Sequence, residues 1–208
     1  MNIRAVIFDF GGVLCFHPDR PMIARAAEHC GVEYDRFLRA MWKDRLKYDA
    51  GQDARDYWSN IAVTTGREFD DELIAQMIER EIEFWSRYDD RVFAWINDLR
   101  ASGVRTGILS NLPRPLGERL RGTNGFLEHF DHVTFSYELG WVKPQPEIYR
   151  HAVQGLDIAP VEALFLDDRP ENIEGAREAG LNAELFTTWE EFVKDMPEKF
   201  SLPAPKSN

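Results

Sequence analysis

The chain has 208 residues, enough for one well-buried domain or for one domain carrying a modest insertion. Apolar residues make up 44% of it and charged residues 29%, which excludes an intrinsically disordered chain. A formal net charge of −11 excludes phosphate-backbone binding as the main task, since nucleic-acid binders need a basic surface, but leaves room for a local basic pocket around a small phosphate.

The first element is the short apolar, β-branched run Ile3-Arg4-Ala5-Val6-Ile7-Phe8, which reads as a strand buried on both faces and ends at Asp9-Phe10-Gly11-Gly12. From Pro21 to Trp85 the pattern changes. Segments 21–30, 34–47, 53–62 and 69–85 carry apolar residues three and four apart, broken at Gly31, Gly51 and Gly66, and predict about four amphipathic helices with no strand among them. Alternation then returns: a helix over 91–101, a strand over Val104–Leu109 ending at Ser110-Asn111, a helix over 114–121, a strand over His132–Ser136 and a helix over Glu147–Gln154. A buried strand, Ala163–Leu166, ends at Asp167-Asp168. It is followed by a helix over Asn172–Ala179, a strand over Asn182–Phe186, a short helix over Trp189–Lys194 and a tail, 201–208, expected to fray.

Strands alternating with helices imply an α/β fold, a doubly wound, mostly parallel sheet with helices on both faces. The expected organisation is a core of residues 1–16 and 90–200 with a helical cap inserted over 17–89. Two cysteines, Cys15 and Cys30, read as free thiols and small buried hydrophobes in a reducing compartment. The run 5–8 is too short for a signal sequence, and no stretch approaches the roughly 18–20 apolar residues of a membrane span. The expectation is a cytoplasmic protein with no membrane or nucleic-acid partner, monomeric or homodimeric, since an aromatic-rich cap can form a dimer surface.

In open parallel sheets ligands bind beyond the carboxyl ends of the strands. Three predicted strands end in polar residues there (Asp9, Ser110-Asn111 and Asp167-Asp168), and Lys143-Pro144 places an ammonium in a nearby loop. Close carboxylates repel, and Mg²⁺ would relieve that cost while using one or two carboxylates, waters and substrate phosphate oxygens. Ser110 can donate to a phosphoryl oxygen, Lys143 can neutralise another, and a carboxylate can act as a covalent nucleophile. The inventory suits phosphoryl transfer, where positioning and charge neutralisation carry most of the catalysis.

Taken together, Ile-Phe-Asp-Phe-Gly-Gly-Val-Leu at 7–14, Ile-Leu-Ser-Asn at 108–111, Lys143-Pro144 and Leu-Asp-Asp at 166–168 resemble the four ordered motifs of the haloacid dehalogenase superfamily of hydrolases. The resemblance covers about 1–15 and 90–195, and the helical insertion is similar to that superfamily's first-position cap. It implies Asp9 as nucleophile and metal ligand and the Gly11 backbone carbonyl as a second ligand. It further implies Ser110, with Asn111, at the phosphoryl group, Lys143 orienting it, Asp168 on Mg²⁺, and Asp167 bracing Lys143 or the metal's water shell. Asn172 is expected to start a helix and to hydrogen-bond the site carboxylates.

One departure stands out: phosphatases of this superfamily carry a general acid/base Asp two residues after the nucleophile, and here that position is Gly11. Such help is typically worth ~10²–10⁴-fold. The pattern is similar to a bacterial subgroup of α-glucose-1-phosphate phosphatase-like proteins, which implies a phosphomonoesterase acting on a small phosphorylated metabolite such as a sugar phosphate. Two alternatives are a metal-independent 2-haloacid dehalogenase, disfavoured by the acid pair Asp167-Asp168, and a catalytically impaired regulatory protein that binds metal or phosphate. His17 reads as a hinge-loop residue or a substitute proton donor. Trp42, Tyr48, Trp58 and Trp85 read mainly as cap core, with one or two of them able to face the site and stack on a sugar or other ring, and Arg114 reads as a surface residue rather than a substrate contact.

Overall fold

The computed structural model describes residues 2–204, with residues 195–198 as backbone. Its centre is a five-stranded sheet of β1 (Ala5–Phe8), β2 (Arg105–Ser110), β3 (His132–Phe135), β4 (Ala163–Asp167) and β5 (Asn182–Leu185), ordered β3-β2-β1-β4-β5. Every pairing is parallel, so all strands present their carboxyl ends to one edge. β1 lies in the middle, with Phe8 in register with Ile108 on one side and Leu166 on the other. The residues that follow these three positions therefore converge without any long reach.

Both faces of the sheet are apolar, which explains the near-continuous hydrophobic runs. Ala5, Ile7, Leu109 and Phe165 pack beneath α9 (Pro146–Gly155) and α10 (Pro170–Glu178), through Ile148, Tyr149, Ile173 and Ala176. Val6, Phe8, Ile108 and Leu166 face the other way, against α6 (Asp90–Ala101) and α11 (Trp189–Phe200), with Trp95 edge-on to Phe8 at 5.8 Å. The same hydrophobic cluster continues into the inserted helices α1 (Arg20–His29), α2 (Tyr34–Lys43), α3 (Arg45–Asp49), α4 (Ala54–Thr65) and α5 (Asp71–Phe84). Side chains of Asp19, Glu33, Asp53 and Asp70 cap α1, α2, α4 and α5, satisfying first-turn amides that have no helical partner. Among the described residues, no helix is long and apolar enough to cross a membrane.

The structure differs from the sequence expectation in four places. The helix expected over 34–47 breaks at Asp44 (φ −117°, ψ 22°), and the redirected α3 buries Arg45, Tyr48 and Asp49. A short helix, α8 (Ser136–Leu139), begins where the third strand was expected to end, after the intervening α7 (Arg114–Gly122). α11 runs to Phe200, beyond the expected end at Lys194. The tail is docked at its start: Leu202 is buried, and the Trp95 indole N–H donates to the Pro203 carbonyl at 2.8 Å. Residues 205–208 of the tail lie outside the described residues.

Gly175 on α10 ties the fold to the lysine loop. A β-carbon there would lie 2.9 Å from the Pro144 carbonyl oxygen and 2.6 Å from its Cβ. Alanine normally stabilises a helix interior by about 1 kcal/mol over glycine, but here the obstacle is backbone. Gly175→Ala is expected to destabilise the protein by about 1–3 kcal/mol, as overpacking does. Urea denaturation checks this, and a variant at least as stable as the parent would contradict the packing described.

Candidate active site

Asp9 follows β1 and is buried at the carboxyl edge of the sheet. Its Oδ1 accepts from the Phe10 amide at 2.7 Å and lies 2.8 Å from the Lys143 ammonium. Lys143 reaches the edge from the loop before α9 and is itself almost fully buried. Its Nζ also donates to Asp167 Oδ2 at 2.6 Å and to the Leu109 carbonyl at 3.2 Å. All three ammonium hydrogens thus have an acceptor.

Asp167, the last residue of β4, is saturated on both oxygens. Besides Lys143 it accepts from the Asn172 amide at 3.0 and 3.1 Å and from the Arg169 backbone N–H at 2.9 Å. Asn111 holds the lysine loop: its Nδ2 donates to the Lys143 carbonyl at 3.0 Å, and its Oδ1 accepts the Lys143 N–H at 2.7 Å. Its side chain is therefore directed to the loop backbone. Ser110 ends β2 and lines the cleft beside Asp9.

Burial pushes the Asp9 carboxyl up to about 7, against the pull of Lys143. Burial acts against the ammonium too, but the Asp167 and Asp9 carboxylates outweigh it and hold Lys143 above its ordinary value. One carboxylate oxygen each of Asp9, Asp167 and Asp168 falls within 4.8 Å of the others. Three carboxylates crowd around one buried ammonium, an excess of acidic groups that suits a divalent cation. The donors are hard oxygens, which favour Mg²⁺ over softer metals. With Asp167 saturated, the groups free to hold such an ion are Asp9, Asp168 and the Gly11 carbonyl, which takes no backbone donor among the described residues.

The eight residues expected from the sequence to form the site therefore meet at one edge, and all but Asp167 line a cleft of about 100 Å³. Other residues join them, His17, Trp42 and Trp85 among those already marked in the sequence. His17 Nε2 is 2.8 Å from Asp168 Oδ2, and that hydrogen bond raises the imidazole above its ordinary value. The Trp85 ring lies against Gly11, where a β-carbon would sit 2.7 Å from it, and His17 packs on Trp85 at 5.8 Å. Gly12 has φ +79°, and a β-carbon there would meet Asp168 and His17 at 2.7 Å. Trp42, Arg45 and Asp49 reach the cleft from the inserted helices. Arg45 and Asp49 stand four apart in the sequence, and nothing local there signals that both are buried. Tyr48 and Trp58 lie in the helical core, Cys15 and Cys30 are buried, and Arg114 is exposed beside Glu118.

Removing one partner of a buried ion pair costs about 3–5 kcal/mol, because the remaining charge is left unpaired. Lys143→Met is expected to lose stability of this order in chemical denaturation at neutral pH. A loss below about 1 kcal/mol, the value of an exposed pair, would mean that Asp9 and Asp167 are solvated.

Residues 3–180 match the haloacid dehalogenase-like hydrolase family. The chain is 30% identical to the sesquiterpene phosphatase astK of Aspergillus oryzae over 95 residues, 46% of this chain and 48% of that protein, so it aligns to only about half of that relative's length. It is 27% identical to the pyrophosphatase PpaX of Bacillus cereus over 188 residues, 86% of this chain and 81% of that protein. The fold is shared with a haloacid dehalogenase family enzyme from Bacteroides thetaiotaomicron whose structure is a complex with magnesium and inorganic phosphate (TM-score 0.73, 21% identity, 93% of this chain and 100% of that one). With a family match over most of its length and the parallel sheet to go with it, the chain belongs to the haloacid dehalogenase-like hydrolases.

Proposed function

We propose that this hydrolase is a cytoplasmic, Mg²⁺-dependent phosphatase of a small phosphorylated metabolite, working through a covalent phosphoenzyme on Asp9. The observation that carries the reading is the buried Asp9 carboxylate, held 2.8 Å from the Lys143 ammonium at the floor of a cleft. Two donors fix Oδ1, which leaves Oδ2 to meet phosphorus. As that oxygen bonds to phosphorus, the ester P–O bond breaks, and the leaving oxygen departs with its electron pair and takes a proton from water. Water then attacks the same phosphorus, which releases inorganic phosphate and restores the carboxylate.

Ser110 donates to a phosphoryl oxygen. Lys143, with its three hydrogens already placed, chiefly neutralises and orients Asp9, while Asp167 and Asn172 keep the lysine charged and aimed. Asp9, Asp168 and the Gly11 carbonyl would hold Mg²⁺. When bound, the ion supplies charge neutralisation of the phosphoryl oxygens. The phosphatases among the relatives support this reading, as does the magnesium and phosphate bound by the Bacteroides enzyme. The cleft lies below the roughly 300–1,000 Å³ of drug-sized sites, which supports a compact ester.

The test is phosphate release from a panel of monoesters with and without Mg²⁺, beside Asp9→Asn. Chelation is expected to abolish turnover, and Asp9→Asn to lower it by about 10³-fold or more, as loss of a covalent nucleophile does. Turnover that survives either treatment would reject the mechanism, and halide release from 2-haloacids without metal would replace it with dehalogenation.

Gly11 yields a second expectation. The missing carboxyl cannot simply be restored, because Trp85 fills its place. Gly11→Asp alone is expected to lower kcat/KM on every ester, with little dependence on the leaving group. Gly11→Asp combined with Trp85→Ala opens the space, so its rate on poor leaving groups should rise relative to Trp85→Ala alone. A single Gly11→Asp change that improves poor leaving groups would show that Trp85 yields freely.

A further inference from the structure

Four basic side chains line the cleft: His17, Arg45, Lys143 and Arg169. Three of them are already engaged. Lys143 has its hydrogens on Asp9, Asp167 and the Leu109 carbonyl. Arg45 is clamped between the buried carboxyls of Asp49 and Glu81. His17 Nε2 lies 2.8 Å from Asp168 Oδ2. Arg169 differs. It is exposed, and its one ion-pair partner among the described residues is Glu171, at 2.5 Å and itself exposed. A guanidinium carries five N–H donors, so most of them stay open to a group entering the cleft.

The backbone beneath this side chain is fixed. Arg169 is the N-cap of α10, directly ahead of Pro170 at the first helical position. Its N–H donates to Asp167 Oδ1 at 2.9 Å, and its carbonyl accepts the N–H groups of Asn172 and Ile173 at 3.0 and 3.2 Å. The residue is thus tied to the same carboxylate that holds Lys143. Its base is set by the sheet edge and not by the inserted helices.

We propose that Arg169 is a specificity residue that binds a carboxylate on the substrate, so that the cleft selects phosphate esters of small hydroxy acids over esters of uncharged alcohols. This inference rests on the phosphatase reading and names the substrate class for it. The planar guanidinium presents paired N–H donors that match the two oxygens of a carboxylate. With a phosphoryl group seated beside Asp9, little of the roughly 100 Å³ is left, and a carboxylate needs less of it than a second phosphoryl group. An exposed ion pair adds little to folding, so the pairing with Glu171 does not by itself account for an arginine at this edge. The acids of the inserted helices do not forbid an anion. Burial drives the Asp49 and Glu81 carboxyls upward, and at Asp49 this rise is opposed by Arg45, Lys143 and Arg169. The charge of Arg169 is therefore felt inside the cleft.

The test compares 3-phosphoglycerate with glycerol 3-phosphate, which carry a carboxylate and a hydroxymethyl group at the same place. The wild-type protein with Mg²⁺ is expected to favour 3-phosphoglycerate by at least about tenfold in kcat/KM, the value of a charge-assisted hydrogen bond. Arg169→Met should remove most of that preference, chiefly through KM. Arg169→Lys keeps the charge but loses the fork and should fall between the two. Glu171→Gln breaks the same ion pair yet frees the guanidinium, so it should hold or raise the preference. A purely structural ion pair would make Arg169→Met and Glu171→Gln act alike. Each substitution leaves the Arg169 N–H that Asp167 accepts in place. No preference for 3-phosphoglycerate in the wild-type protein, a preference that survives Arg169→Met, or an equal loss in Glu171→Gln would overturn the proposal and leave the phosphatase standing. If neither ester is hydrolysed, the phosphatase reading fails, and calorimetric binding of both esters to the wild-type protein with Mg²⁺ decides. Tighter binding of 3-phosphoglycerate that Arg169→Met abolishes would uphold the carboxylate site, whereas equal binding, or none, would reject it.

Discussion

The Lys143 ammonium, shared between Asp9 and Asp167, is the interaction on which the site depends. A lysine this deeply buried is stable as a cation only beside anions, and two buried carboxylates tolerate each other only with a cation between them. Each of the three sits on a different segment: the end of β1, the end of β4 and the loop before α9. Their mutual requirement fixes how the loop closes over the sheet edge. Asn111 reinforces it by bonding both the N–H and the carbonyl of Lys143, and Gly175 permits α10 to approach Pro144. The catalytic geometry and the packing of the lysine loop are thus one arrangement.

Above that core, the glycine pair sets what can approach Asp9. At Gly11 and Gly12 the absence of β-carbons makes room for Trp85, His17 and Asp168. A side chain at Gly12 would also need a left-handed backbone conformation, which non-glycine residues adopt at a cost of about 1–2 kcal/mol. An indole and an imidazole therefore stand where a second acid would otherwise stand.

The sheet and its functional edge were legible in the sequence for simple reasons. Strands covered on both faces leave continuous apolar runs, and Asp9, Ser110 and Asp167 each sit at the carboxyl end of one, so parallel pairing alone brings them together. Lys143 was legible only by its place among the other motifs. What escaped was set by contacts distant in sequence. Nothing local marks Asp44 as a helix break, because residues 34–47 keep a helical pattern and contain neither glycine nor proline; the break exists because Arg45 meets Glu81, 36 positions away. His17 read as a hinge residue because Trp85 and Asp168, which aim it, belong to two other segments. The docking of Pro203 on Trp95 depends on a single indole donor 108 residues distant.

The inserted helices matter for how such a site compensates for a missing acid. In the proposed phosphatase, with no proton donor beside Asp9 at position 11, the rate would depend more on how the leaving oxygen is placed and on how well it carries charge as it departs. Placement needs a wall that does not move relative to the nucleophile. α3 meets this requirement: Ser136 joins its carbonyl to Leu112, and the guanidinium of Arg45 is held at both ends by buried carboxylates. The break at Asp44, unremarkable as local structure, thereby brings Arg45 and Asp49 to the cleft that also holds Asp9.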